Sequence, residues 1–245
     1  IQEEIHKLLL LVVDFYKLLN FKPEFYFATK PDKAMGDSKL WEEAEKDLES
    51  ALKEAKVKYR IKEKDGAFYG PKIDIHIKDS QSRNWQLATI QLDFQIPERL
   101  QLEYIDKDGK SKCPVIIHRA ILGSLERFIG ILTEHYQGAF PLWLSPVQVT
   151  VIPIADRHAE FASSTVRTIE LQDIRVELDD RNETVSGKIR DATLQKVPYI
   201  GIIGDKEISN SDRIVSVRTR EGKDLGQLKI SQFLNKLKEE IDKKI

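Results

Sequence analysis

One stretch of the sequence surrounds an aromatic pair with residues that allow a backbone to turn sharply. It runs from Asp65 to Lys72 and places two glycines and a proline around Phe68 and Tyr69. Glycine permits tight turns and a close approach of the backbone to a ligand. An ordinary hairpin turn explains the same residues. This stretch alone therefore leaves a binding site and a plain turn open.

A second stretch carries an imidazole, a hydroxyl and a guanidinium at the point where a predicted strand leads into a predicted helix. These groups belong to His118, Ser124 and Arg127. Such a junction presents the backbone amides of a helix N-terminus to an anionic ligand. Each residue also has a structural interpretation, because histidines are often buried with their hydrogen bonds made inside the protein, and arginines often pair with carboxylates.

The elements around these two stretches follow from the spacing of apolar residues. Three-and-four spacing predicts helices over 1–20, over 123–136 and around Trp41, where Asp37 and Ser38 offer capping oxygens. Alternation with period two predicts strands over 72–78, 86–94, 101–105 and 115–118, with a hairpin turn at 107–110 and a short strand at 25–29. Consecutive strands with segregated helices indicate an α+β arrangement with a mostly antiparallel sheet.

Two prolines between residues 141 and 146 interrupt this pattern and predict a domain boundary between residues 143 and 144. Beyond it, we expect strands at 147–154, 175–178, 199–203 and 214–218, and helices at 159–171, 186–196 and 231–243. Alternating strands and helices imply crossover connections and a mixed, mostly parallel sheet covered on both faces. The chain is thus predicted to contain an α+β domain at 1–143 and an α/β domain at 144–245.

Composition narrows the possible classes of protein. Lys plus Arg (39) nearly cancel Asp plus Glu (40), so an RNA contact would need a local basic patch. The single cysteine, Cys113, excludes an internal disulfide framework and suits a reducing cytoplasm. The longest apolar run, Leu8–Val13, is too short to span a bilayer. Because the chain opens at Ile1 inside a helical pattern, we expect a fragment of a longer protein.

Together, the segments 66–72, 89–94 and 118–130 resemble, in order and spacing, the second half of the threonyl-tRNA synthetase catalytic domain. The segment from Gly123 through Glu126-Arg127-Phe128 resembles motif 3 of class II synthetases, which prolyl, seryl and histidyl enzymes share. Two segments narrow the resemblance to the threonyl enzymes: Tyr69-Gly70-Pro71-Lys72 and Ile117-His118-Arg119-Ala120. The rest of the chain resembles the α/β anticodon-binding domain shared by threonyl, prolyl, histidyl and glycyl enzymes.

The resemblance implies functional roles in the catalytic part. Arg127 matches the motif 3 arginine, a catalytic residue that stacks on and neutralises ATP, which is used with Mg²⁺. His118 matches one of three protein ligands of a zinc ion that binds threonine. A site that must ligate a hydroxyl group rejects valine. The positions that line the threonine and adenylate pocket are matched by Tyr69, Lys72, Gln86, Gln91 and Ser124.

In the anticodon-binding part, the resemblance implies contacts with anticodon bases. The matching residues are Asn182, Arg190, Glu207 and Arg218, with Lys188, Lys196 and Lys206 as a basic background suited to phosphates. The segment Thr184-Val185-Ser186 departs from many relatives, which carry a lysine there. The implied partners are tRNA(Thr), threonine and ATP, in a cytoplasmic enzyme that is a homodimer when complete and has no membrane segment.

Motif 1, motif 2 and the other two zinc ligands of the family have no match in this sequence, and Cys113 does not occupy a ligand position. We therefore expect this polypeptide alone to have no adenylation activity and little affinity for zinc. A non-catalytic tRNA-binding module remains an alternative. A nucleotide-binding α/β domain, suggested by Ile202-Ile203-Gly204-Asp205, ranks last because no Gly-x-Gly-x-x-Gly follows a strand.

Overall fold

The computed structural model describes residues 1–210 and 213–245. The chain forms two compact units, Ile1–Leu132 and Thr133–Ile245. The boundary expected after residue 143 lies further along the chain than this division, and as a boundary between functional domains it stays a prediction. Within the described residues, no helix is both long and apolar enough to cross a bilayer.

The first unit is built around a five-stranded sheet. Its elements are α1 (Gln2–Leu18), β1 (Glu24–Ala28), α2 (Ser38–Glu54), β2 (Tyr59–Lys62), β3 (Lys72–Lys78), β4 (Asn84–Asp93), α3 (Gln95–Arg99), β5 (Tyr104–Ile105), β6 (Ser111–Lys112), β7 (Ile116–Ala120) and the start of α4 (Leu125–Tyr136). The strand order is β2-β1-β3-β4-β7, and every pairing is antiparallel except β1 with β2. The predicted α+β arrangement is confirmed.

Helical spacing of apolar residues explains why the helices form and what they bury. In α1 the buried residues are Ile5, Leu9, Val12 and Tyr16. At the start of α2, the Asp37 side chain accepts a hydrogen bond from the backbone N–H of Lys39 at 3.2 Å, which caps the helix. The core face of β3 is equally apolar, with Ile73, Ile75 and Ile77 fully buried. The opposite face of the strand is left for polar groups.

Two predictions in this unit are wrong in part. The turn at 107–110 is present, but it joins β5 to the short strand β6, and the strand at 116–120 pairs with β4 instead. Only residues 104–105 of the predicted strand 101–105 are extended. The parallel edge strand β2 was not predicted. Tyr59 and Ile61 do alternate with Arg60 and Lys62, but the strand has only four residues and none of them is buried.

A β-bulge interrupts the pairing of β3 with β4. Ile75 pairs with Ala88, but His76 pairs with Gln86, so Leu87 is the extra residue. A regular strand would place Gln86 and Thr89 on opposite faces, since they are an odd number of positions apart. The bulge brings both onto one face, where they share a partner on β3.

The second unit contains a five-stranded mixed sheet. Its elements are the end of α4, β8 (Val149–Pro153), α5 (Ala159–Glu170), β9 (Val176–Leu178), α6 (Val185–Leu194), β10 (Tyr199–Ile203), α7 (Asp205–Ile208), β11 (Ile214–Thr219), β12 (Asp224–Lys229) and α8 (Ile230–Lys243). The strand order is β12-β11-β10-β8-β9. β8 is parallel to β10 and β9, whereas β11 is antiparallel to β10 and β12. Because strand β12 was not predicted, more of the strand pairings in this sheet are antiparallel than expected.

Neighbouring residues of β8 belong to two different apolar clusters. Val151 packs in a cluster that includes Ala162 of α5 and Phe233 of α8. Ile152, the next residue, packs with Ala192 of α6. Because successive strand residues point to opposite faces, helices cover both faces of this sheet, as predicted.

Candidate functional sites

Asp74 is the centre of a polar cluster on the first sheet. Its side chain is buried and accepts from Lys72 Nζ at 2.7 Å. Gln86 Nε2, at 2.7 Å, and Thr89 Oγ1, at 3.1 Å, donate to its other oxygen. The structure thus brings together two predicted site residues, Lys72 and Gln86, through a carboxylate that sequence reasoning missed. Its only sequence signal is a charged residue in an alternating apolar strand.

Tyr69 reaches over the same sheet from the preceding loop. Its hydroxyl donates a hydrogen bond to Gln91 Oε1, and Gln91 lies between Lys72 and His118 in the strand register. Burial, followed by the negative charge of Asp93, raises the pKa of Tyr69. The phenol therefore stays protonated at neutral pH and acts as a donor.

Gly70 makes this position of Tyr69 possible. A Cβ at residue 70 would lie 1.8 Å from the carbonyl oxygen of Leu92 in β4. Only glycine lets the loop lie so close to the strand. The glycine is therefore required by close packing of backbone against backbone, a reason that neither of the two sequence-based explanations included.

His118 is oriented by a buried carboxylate. Its Nε2 lies 2.9 Å from Oδ2 of Asp93. The other oxygen of that carboxylate, Oδ1, accepts from the backbone N–H groups of Gln95 and Ile96 at 2.9 and 3.0 Å. Burial raises the pKa of Asp93, but the N–H of Ile96 and the His118 ring outweigh it, so the net pKa is lowered. The His118 side chain is 40% exposed, so it faces outward from the sheet and not into an apolar interior.

The His118 ring fits one ligand position of a metal site. Metal-binding histidines commonly bond a carboxylate through their other ring nitrogen. A structural zinc site, however, has four protein ligands, and a catalytic zinc site has three protein ligands and one open position. Within residues 1–210 and 213–245, no group of three or more His, Cys, Asp or Glu side chains could hold a metal ion. The described residues therefore do not form a zinc site by themselves.

Arg127 lies in the first turn of α4, where Ser124 Oγ accepts from its backbone N–H at 3.2 Å. Ser124 is thus a helix cap. The exposed Arg127 guanidinium stacks on the Trp85 ring, 5.4 Å from the ring centre. Asp79 holds that ring by accepting from Trp85 Nε1 at 2.8 Å. In the part of the chain that is described, no hydrogen bond or ion pair joins Arg127 to Asp74.

Glu207 is the most enclosed of the predicted anticodon-binding residues. It is 4% exposed and accepts from the backbone N–H of Gly204, from Ser216 Oγ and from Gln227 Nε2 at 2.8–2.9 Å. Burial raises its pKa, but these hydrogen bonds, led by that of Ser216, lower it overall. Gln227 belongs to β12 and was not predicted.

The other three predicted anticodon-binding residues are accessible to different degrees. Asn182 is exposed, and the Arg190 side chain is 75% exposed, with the Asp191 carboxylate 3.7 Å from it. Arg218 lies on β11 and its Nε is buried without a hydrogen-bond partner in the described structure. An unpaired buried donor is costly, so a ligand acceptor would stabilise it.

Lys188 does not belong to a basic surface, contrary to the sequence-based expectation. It is 4% exposed, and its Nζ donates to the carbonyl oxygen of Asp179 at 3.1 Å. Sequence reasoning also missed Arg181, which bonds Asp179 through two nitrogens and reaches Asp191 at 3.2 Å. These contacts fix the loop that carries Asn182.

Two family models account for most of the chain. Residues 15–136 match the class II core domain of tRNA synthetases (G, H, P, S and T), and residues 148–240 match the anticodon binding domain. The chain therefore belongs to the class II aminoacyl-tRNA synthetases. Within that class it is a homologue of the threonyl-tRNA synthetases, as the resemblance implied.

Named relatives define this relationship. The threonine–tRNA ligase of Caldanaerobacter subterraneus subsp. tengcongensis is 51% identical over 98% of this chain, and that of Carboxydothermus hydrogenoformans is 50% identical over 100%. The chain spans 37% and 38% of the length of these two relatives.

Solved structures give the same result for the fold. The RNA binding domain of threonyl-tRNA synthetase from Cryptosporidium parvum has a TM-score of 0.88 and 38% identity, over 97% of this chain and 60% of that one. A putative threonyl-tRNA synthetase from Aeropyrum pernix has a TM-score of 0.72 over 99% of this chain and 62% of that one. At 24% identity, the second likeness concerns the fold alone.

Proposed function

We propose that this chain is part of a threonine–tRNA ligase that activates threonine with ATP and transfers it to tRNA(Thr). The observation that carries the proposal is the polar cluster around Asp74, which gathers Lys72 and Gln86 on one face of a class II sheet. Identity of about 50% with threonine–tRNA ligases over nearly the whole chain supports the choice of amino acid.

In the first step, a carboxylate oxygen of threonine attacks the α-phosphorus of ATP and pyrophosphate leaves. Arg127 acts as the catalytic cation, because a planar guanidinium can both stack on adenine and neutralise phosphate charge. Its exposure at the start of α4 leaves it free for this task. Mg²⁺ accompanies ATP and shares the charge of its phosphates.

The other predicted residues bind and orient the substrates. Tyr69 stays protonated and donates to Gln91 Oε1, which orients the Gln91 amide so that its Nε2 N–H groups can donate to a threonyl-adenylate. Lys72 and Gln86 are fixed by Asp74, and Ser124 lies at the cap of α4. Preorganised donors of this kind lower the cost of binding a charged intermediate.

His118 would supply one nitrogen ligand to a zinc ion, and that ion would select threonine by coordinating its hydroxyl group. We also infer that the complete enzyme works in the cytoplasm as a homodimer. These inferences follow the family relationship and the single cysteine in the sequence.

The second unit recognises the anticodon through Asn182, Arg190, Glu207 and Arg218. Unpaired bases expose edges that amides and carboxylates can read and faces on which arginines stack. The accessible side chains of Asn182 and Arg190 and the unpaired Nε of Arg218 support this role. The exposed Lys196 and Lys206 remain available for phosphates.

Threonine-dependent exchange of ATP with pyrophosphate tests the catalytic proposal in a complete enzyme that carries this segment. Arg127→Ala is expected to lower kcat/KM by about 100-fold or more, as loss of one charge-stabilising group does. Arg83→Ala is the matched control, because Arg83 lies over the same Trp85 ring at 5.7 Å. Equal losses in both variants would contradict the role of Arg127.

A non-catalytic tRNA-binding module is the second candidate, and the unpaired Nε of Arg218 in the second unit favours it. Filter binding of tRNAs with altered anticodons to the 245-residue chain tests anticodon recognition; equal binding of every tRNA would exclude it. The same chain is expected to show no exchange activity and little zinc affinity. Exchange by the isolated chain would refute that expectation.

A further inference from the structure

Three cationic residues alternate along the edge strand of the first sheet. Lys58 directly precedes β2, and Arg60 and Lys62 lie within it. We call these three residues the basic row. Lys58 and Arg60 are exposed, whereas Lys62 is half-buried with its Nζ 4.6 Å from the centre of the Tyr26 ring. Alternate residues of a strand are about 6.6 Å apart, so the charges are evenly spaced.

The strand register places the basic row on the same face as Asp74. Arg60 pairs with Tyr26 of β1, and Tyr26 pairs with Asp74 of β3. Residues paired directly across strands share a face of the sheet. Tyr59, which points to the other face, bonds Glu49 of α2 at 2.8 Å. The row and α2 therefore lie on opposite sides of the sheet.

The charges of the row are largely free. Among the described residues, neither Lys58 nor Arg60 has a carboxylate oxygen within 4.0 Å, and Lys62 has only Asp65 at 3.7 Å. The nearby carboxylate of Glu24 is already bound by Lys78 at 3.0 Å and by the Tyr26 hydroxyl at 2.8 Å. The row is thus a local positive surface on a chain whose formal net charge is −1.

Protection of an exposed strand edge is the simplest alternative, because lysines on edge strands discourage pairing with other chains. That explanation does not account for the apolar Ile61, which is 57% exposed in the middle of the same strand. Nor does it account for a cavity of about 300 Å³ that Lys58 and Arg60 line together with Tyr26 and Tyr59. Evenly spaced cations beside a concave surface suit a row of phosphates.

We propose that the basic row binds backbone phosphates of the acceptor arm of tRNA, whose 3′ end must reach the Asp74 face to be charged. The proposal rests on the proposed function, since it takes this face as the place where the amino acid is attached. It adds a contact in the first unit that is independent of the anticodon.

The test uses the 245-residue chain and a minihelix RNA that contains the acceptor arm of tRNA(Thr) without its anticodon. The dissociation constant is measured by fluorescence anisotropy over a range of KCl concentrations. The variant Lys58→Gln/Arg60→Gln removes two cations of the row. The control Lys39→Gln/Lys46→Gln removes two exposed cations of α2, on the opposite face.

The row variant is expected to bind the minihelix more weakly. Its slope of log K against log salt concentration should shrink by about 1.4–1.8, which is ~0.7–0.9 for each lost phosphate contact. The control variant should keep the slope of the unmodified chain. Binding of an anticodon stem-loop should be unchanged in both variants.

Other outcomes overturn the proposal and separate it from the proposed function. If the row variant binds the minihelix with an unchanged slope but self-associates in sedimentation velocity, the row only protects the edge. If the unmodified chain binds the anticodon stem-loop but not the minihelix, the row proposal is wrong and anticodon recognition stands. If it binds neither RNA, both proposals fail.

Discussion

Lys72 Nζ lies 2.7 Å from Oδ2 of Asp74, a carboxylate with no exposed surface. The same side chain fixes Gln86 and Thr89 from the neighbouring strand. One carboxylate therefore joins two strands and orders two residues of the candidate active site. Its removal should affect stability and substrate binding together.

Asp74→Asn should lower the free energy of unfolding by about 3 kcal/mol, because it leaves the Lys72 charge without its partner. Urea unfolding followed by circular dichroism measures the loss. Adding Lys72→Met removes the stranded charge and should recover part of the stability. A loss below about 1 kcal/mol in the single variant would show that the pair contributes little.

Gly70→Ala should destabilise the first unit by about 2–3 kcal/mol, because the added methyl group would collide with the backbone of Leu92. Gly130→Ala is the control: its Cβ meets no atom within 4 Å, and the residue lies in α4. That variant should gain about 0.5–1 kcal/mol. Thermal unfolding of both proteins tests the contrast, and equal melting temperatures would refute it.

Glu207 should make the second unit sensitive to acid. Its pKa in the folded state is lowered from 4.5, so its stabilising contribution is present above about pH 4.5 and is lost as the pH falls through the folded pKa. The stability difference between the unmodified chain and Glu207→Gln should therefore shrink on acidification. Urea unfolding at several pH values measures it, with Glu177→Gln as the control for removing one exposed carboxylate. A pH-independent difference would contradict the assignment.

Arg218→Met should leave the stability of the second unit unchanged or raise it, since it removes a buried donor without an acceptor. Binding of an anticodon stem-loop should weaken about tenfold, as for loss of one stacking or edge contact. Arg220→Met should instead lower the stability of the second unit and leave RNA affinity unchanged, because Arg220 donates to the Phe140 carbonyl at 2.6 Å and supports the fold. Unchanged RNA affinity in the Arg218 variant would remove it from the proposed site.

Sequence periodicity predicted the elements that bury one full apolar face. It identified α2 from residues such as Trp41 and Leu48, and β3 from its three alternating isoleucines. It failed for β2, which has only four residues and none buried, and for β12, whose apolar residues Leu225 and Leu228 do not alternate. A strand at the edge of a sheet is defined by its neighbour more than by its own residues.

The residues of the candidate sites were likewise predicted only in part. The family resemblance gave Lys72 and Gln86, but the carboxylate that joins them was missed because charge on a strand normally indicates solvent exposure. Lys188 was placed on a basic surface for the same reason, although it is buried. Which polar groups become enclosed depends on the packing of distant segments, and spacing along the chain does not record it.

Because of the bulge at Leu87, deletion of one residue from β4 has different effects at different positions along the strand. Loss of Leu87 itself would restore regular alternation and keep Gln86 opposite His76, at the expense of one buried side chain. Loss of Thr89 instead would shift every earlier residue of the strand by one place and turn Gln86 toward the apolar interior. Related proteins with a shorter strand should therefore lack the residue at the position of Leu87, because a deletion there does not exchange the two faces of the strand.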